Sequence, residues 1–181
     1  MKIAKIISIF ISIVFLCNFT SIIDDTPIYK LKAVYLEKFS LFVSWPEESN
    51  IADTTKSFEI TVIGENPFEG ELVDLYVKGN VKICKKKVDV TFIENIEEIN
   101  NCQILYVAES ANNQFKEIYK AVKDKPILVI TDTPGFAEKG AHISFFVSNE
   151  GKLNFEINKN RATESEVRIS SRLLRIAKII D

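Results

Sequence analysis

The chain has 181 residues, 46% of them hydrophobic and 27% charged, with a formal net charge of −2. That balance suits one domain with a full core and excludes a disordered chain. It also lacks the clustered basic surface that nucleic-acid binders carry, so nucleic acid is not an expected partner.

Lys2 and Lys5 precede an uncharged, mostly apolar run from Ile6 to Cys17, interrupted only by Ser8 and Ser12, and polar residues follow at Asn18, Thr20 and Ser21. Residues 1–21 therefore read as a secretory signal, with cleavage near Thr20 or Ser21 and a single domain over 22–181. The run is shorter than the roughly 20 residues of a spanning helix, although an uncleaved anchor is the alternative reading. Leu16 before Cys17 argues against lipidation. Loss of the two lysines takes the net charge to −4. Cys84 and Cys102 then remain in an oxidising compartment, either as a disulfide or as two buried free thiols.

Thr26-Pro27 opens a helix whose Leu31, Val34, Tyr35, Phe39 and Phe42 keep helical spacing until Trp45-Pro46 stops it. A strand is expected over 58–63 and a helix over 67–77. Strands follow over 81–84 and 88–93, then a helical turn over 96–100 and an apolar strand over 103–107. A helix over 111–122 leads to another apolar strand over 127–131. Runs 142–147 and 152–157 form a hairpin around Asn149-Glu150-Gly151. Thr163 to Glu166 has capping-box spacing, Ser170-Ser171 is a second cap, and Leu173, Leu174, Ala177 and Ile180 line one side of a final amphipathic helix. The fold class expected is α/β: a mostly parallel sheet with helices on both faces, three layers in all, and an antiparallel hairpin at one edge.

Signatures of catalysis are sparse. His142, the only histidine, stands at a strand start and reads as structural. No metal cluster, glycine-rich dinucleotide pattern or phosphate-loop lysine is present, so no cofactor is expected. Asp132, in Thr131-Asp132-Thr133-Pro134-Gly135 after an apolar strand, is the one candidate for a small-molecule site, because ligands of open α/β sheets gather beyond strand carboxyl ends. A turn-capping role is its structural alternative.

Several local patterns combine. Tyr35-Leu36-Glu37-Lys38-Phe39 leads to Phe42-Val43-Ser44-Trp45-Pro46, and these precede Ile60 to Gly64, Cys102-Gln103-Ile104-Leu105-Tyr106-Val107 and Gly135-Phe136-Ala137. Phe155-Glu156-Ile157-Asn158 and Ile169-Ser170-Ser171-Arg172-Leu173-Leu174-Arg175-Ile176-Ala177 complete the set. In number, order and spacing the chain resembles the YfiR-like (YfiR/HmsC) family from about Ile28 to Ile180. The resemblance implies a periplasmic α/β domain without catalytic activity. Its implied partner is the periplasmic sensor domain of a membrane signalling protein such as a diguanylate cyclase, with homodimerisation as a further implied property. It also implies that Phe155, Glu156 and Asn158 form the partner-binding surface, with Arg168 and Arg172 nearby. Period-two alternation would put Phe155 and Ile157 in the core and Glu156 in solvent. The family's partner cysteine in the strand over 60–63 is missing, and Cys84 is the only substitute for it.

Overall fold

The computed structural model describes residues 26–49 and 51–181. The expected signal over 1–21 lies outside the described residues. Helix α1 (Thr26–Ser40) turns into a short strand β1 (Val43–Ser44) before Trp45. Strands β2 (Phe58–Ile63), β3 (Val88–Ile93), β4 (Ile104–Val107) and β5 (Leu128–Thr131) follow, with α2 (Phe115–Val122) between the last two. Then come β6 (Ile143–Val147), β7 (Leu153–Asn158), α3 (Lys159–Glu164), β8 (Arg168–Ile169), α4 (Ser171–Leu174) and β9 (Lys178–Ile180).

Seven strands form one sheet in the order β3-β2-β4-β5-β6-β7-β9. The first five are parallel, β7 runs antiparallel to β6, and β9 is parallel to β7. This is the expected three-layer α/β fold with a hairpin at one edge. Strands β4 and β5 are buried along their whole length, because both sheet faces are covered. One core contains Leu36 and Phe39 of α1, Phe145 and Phe155; the other contains Phe115, Ile118 and Val122 of α2 with Phe136. Phe39 stands 4.9 Å from Phe155 and 5.6 Å from Phe145, centroid to centroid. Burying each such ring contributes about 1.5–3 kcal/mol, so this cluster fixes α1 to the hairpin.

Local expectations fail where tertiary partners intervene. Phe42 leaves the first helix because Val43 and Ser44 pair with Ile169 and Arg168. Residues 81–84 make only an Ile83–Lys86 bridge around Cys84 and Lys85, both at positive φ, instead of a strand. The segment over 67–77 is helical only from Glu71, and Val73–Lys78 winds as a π-helix, with the Gly79 amide donating to the Asp74 carbonyl. Thr163 lies inside α3, whose cap is Asn158, so no helix starts there. The final amphipathic helix is likewise absent. After α4, residues 178–180 add to the open edge of β7, where backbone pairing outweighs a helical spacing of apolar residues.

Candidate functional site

The crossovers after β2 and β4 leave on opposite sheet faces, which opens a crevice at the carboxyl ends of these two strands. A cavity of about 310 Å³ lies there, lined by Tyr29, Asn66, Pro67, Ser110 and Asp132 among others. Gly64 permits the close approach, since its φ is +99° and a Cβ would stand 2.7 Å from Ser110 Oγ. Asp132 is not free to bind a ligand. Its carboxylate is ion-paired with Lys32 and accepts a 2.8 Å hydrogen bond from Tyr29, with both charged side chains almost fully buried. The Tyr106 hydroxyl lies beside it without a well-formed hydrogen bond; burial, then the neighbouring charge, holds that phenol well above its ordinary pKa. The arrangement ties α1 to the end of β5. Lys32 was legible as a cation on the apolar stripe of α1, a position that demands a buried acid.

On the opposite sheet face, polar side chains of β7 hold the connection between β5 and β6. Gly135 donates its amide to Glu156 Oε1 at 2.7 Å, and Asn158 Nδ2 donates to the Ala137 carbonyl at 2.7 Å. Lys178 of β9 approaches Glu156 Oε2 at 3.4 Å. Glu156 retains only 3% exposure, so the expectation that it faces solvent is corrected. Alternation assigned it to the side opposite Phe155 and Ile157, as found. That side is covered by the 132–142 connection instead of water. Asn158 also accepts from the Arg161 amide at 2.6 Å, capping α3.

His142 completes this face. It is fully buried, and its Nδ1 accepts from the Val129 amide at 3.0 Å, so the proton sits on Nε2 and is directed to Ser165 Oγ at 2.9 Å. Burial, with help from the Arg161 charge, pushes its pKa down to about 3. The structural reading of this residue holds.

Segments far apart in the sequence therefore meet in pairs: 35–39 with Phe155, 42–44 with 168–170, and 135–137 with 156–158. A family model described as YfiR/HmsC-like matches residues 29–178, nearly the whole described chain. The chain belongs to the YfiR/HmsC-like family. No curated protein matches it. A crystal structure of a conserved domain protein from Vibrio cholerae O1 biovar eltor is similar at 14% identity and a TM-score of 0.48, over 75% of this chain. This chain spans 59% of that protein.

Members of the YfiR/HmsC-like family are known as periplasmic regulators of cyclic-di-GMP signalling, regulatory rather than catalytic. No helix among the described residues is long and apolar enough to cross a membrane. Cys84 and Cys102 are both free thiols. Cys84 packs against the core under α1 and Cys102 belongs to the core under α2, so the sheet separates them. Burial raises both pKa values, that of Cys102 to about 11, which leaves little thiolate at neutral pH.

Of the five residues assigned to a partner surface, Phe155 and Glu156 are buried and Asn158 is half-buried, whereas Arg168 and Arg172 are exposed. Glu156 takes Lys178, not an arginine, as its cation. Arg175 and Lys178 were legible only as the basic stripe of a final helix, and Ile179, which the structure places in β9, was not singled out. In the structure Ile176 is 71% exposed, and Ile179 and Val147 are also exposed large apolar side chains.

Proposed function

We propose that the mature chain is a periplasmic, non-enzymatic regulatory binding protein that restrains a membrane signalling protein, such as a diguanylate cyclase, by docking on its periplasmic sensor domain. The docking surface is the carboxy-terminal segment. Exposed Ile176 and Ile179 stand among Arg172, Arg175 and Lys178, and this combination supports the reading: an apolar centre with a basic rim fits an acidic, partly apolar partner surface. Arg168 lies on the adjoining strand. Phe155, Glu156 and Asn158 serve this surface indirectly by holding the sheet edge on which β9 lies.

A photo-crosslinking residue at position 176 tests the assignment in cells making the protein. It should capture a membrane signalling protein, while the same probe at Phe92, on the opposite sheet edge, should not. Equal capture from both positions, or capture from position 92 alone, refutes the surface.

A further inference from the structure

A second cavity lies at the other end of the sheet, where β2, β4 and β5 begin. Its volume is about 530 Å³, within the roughly 300–1,000 Å³ of small-molecule sites. Its lining includes Lys56, Lys86 and Lys125, with Glu59 as the only carboxylate. In a chain whose net charge is negative, this concave surface thus carries two more positive than negative charges. Neither Lys56 nor Lys125 takes part in an ion pair among the described residues.

The polar groups around the cavity are oriented as donors. Gln103 Oε1 accepts from the Glu59 amide at 2.7 Å, so its carboxamide NH₂ is left as the free end. Lys86 is buried and anchored through its ammonium to the Asp53 carbonyl at 2.6 Å, which fixes one charge in place. Burial and the nearby Asp89 raise the pKa of Glu59, a shift toward the neutral form that makes the lining more positive. Pro126 and Ile127 supply an apolar wall. Clustered ammonium groups in a concave, partly desolvated surface repel one another and attract an anion, and the space exceeds what one simple ion fills.

We propose that this cavity binds a small organic polyanion, its anionic groups held by Lys56, Lys86 and Lys125 and its body against Pro126 and Ile127. Carboxylates and phosphates share this chemistry. The site lies apart from the carboxy-terminal docking surface and does not depend on it.

The mature chain, labelled with ¹⁵N, is titrated with citrate and, separately, with pyrophosphate. Sodium chloride at matched ionic strength and sorbitol serve as controls. Saturable amide shifts confined to residues 56–59, 85–87, 101–103, 125 and 127 are expected, and the stronger of the two probes identifies carboxylate or phosphate as the preferred group. Lys56→Gln and Lys125→Gln should each weaken that response about tenfold, the loss of one charge-assisted contact, at an unchanged melting temperature. The proposal is overturned by no saturable response to either probe, by a response equal to that of sodium chloride, by shifts mapping elsewhere, or by affinities that neither variant changes.

Discussion

Two carboxylates stand near the same end of the sheet on opposite faces, and their partners set them apart. Asp132 is closed by Lys32, a cation as buried as itself, with Tyr29 completing the enclosure. Glu156 is closed by a backbone amide and by Lys178, whose side chain is mostly in solvent. The first is a sealed pin between a helix and the sheet, and the second is a latch whose outer half belongs to the terminal strand. Burial alone does not separate them; the exposure of the cation does. A buried acid is a poor ligand-binding group when its partner is inside the protein with it, but one tied to an exposed terminal lysine stays connected to the surface.

The comparison breaks most visibly at Lys32. Lys32→Met leaves Asp132 as an uncompensated buried charge and should cost about 3–5 kcal/mol in urea unfolding, while Lys32→Met with Asp132→Leu should recover most of it. A loss below about 1 kcal/mol in the single variant would show that the pin is not sealed.

His142 gives the next effect, through pH. Its folded pKa of about 3 lies below the ordinary value of 6.5, so the unfolded chain takes up a proton that the native state refuses. Its contribution to stability is complete above pH 6.5 and declines as pH falls from there toward 3, by up to about 1.4 kcal/mol per pH unit. Unfolding free energies of wild type and His142→Gln, compared from pH 7.5 to 5, should show the steeper decline in wild type. Parallel curves would mean that the imidazole is not buried as a neutral group.

At the latch the effects shrink. Glu156→Gln keeps an acceptor for the Gly135 amide and should cost about 1 kcal/mol or less in thermal unfolding, whereas Glu156→Leu orphans that amide and should cost about 1–3 kcal/mol. Equal losses in the two variants would assign the stabilisation to charge and not to the hydrogen bond.

Much of this was legible in the sequence, and the failures have one physical source. The apolar runs of β4 and β5, the hairpin, and Tyr35 and Phe39 on α1 are set by local patterns and appeared where those patterns placed them, whereas Leu31 of the same stripe is exposed and Phe42 lies beyond the helix. Glu156 was misread because alternation reports the side of a strand but not what covers that side. Residues 173–180 were misread because helical spacing cannot register an unpaired edge at β7. Cysteine parity and compartment left a disulfide and two free thiols both open, because neither carries the separation by the sheet that the structure shows. Lys32 was the readable signal that went unread, since a lysine on a buried stripe implies a distant acid.

The smallest stability effect belongs to exposed arginines in and beside the basic rim of the proposed docking surface. Arg168→Glu with Arg172→Glu changes two exposed side chains and should leave the melting temperature within a few degrees, because exposed substitutions usually stay within about 0.5 kcal/mol each. The decisive measurement is the affinity of this double variant, beside wild type and Glu156→Gln, for the sensor domain captured from position 176. The account predicts loss of binding by the arginine variant and near wild-type binding by Glu156→Gln. Full affinity in the arginine variant, with binding lost in Glu156→Gln, would contradict it and place recognition at the latch itself.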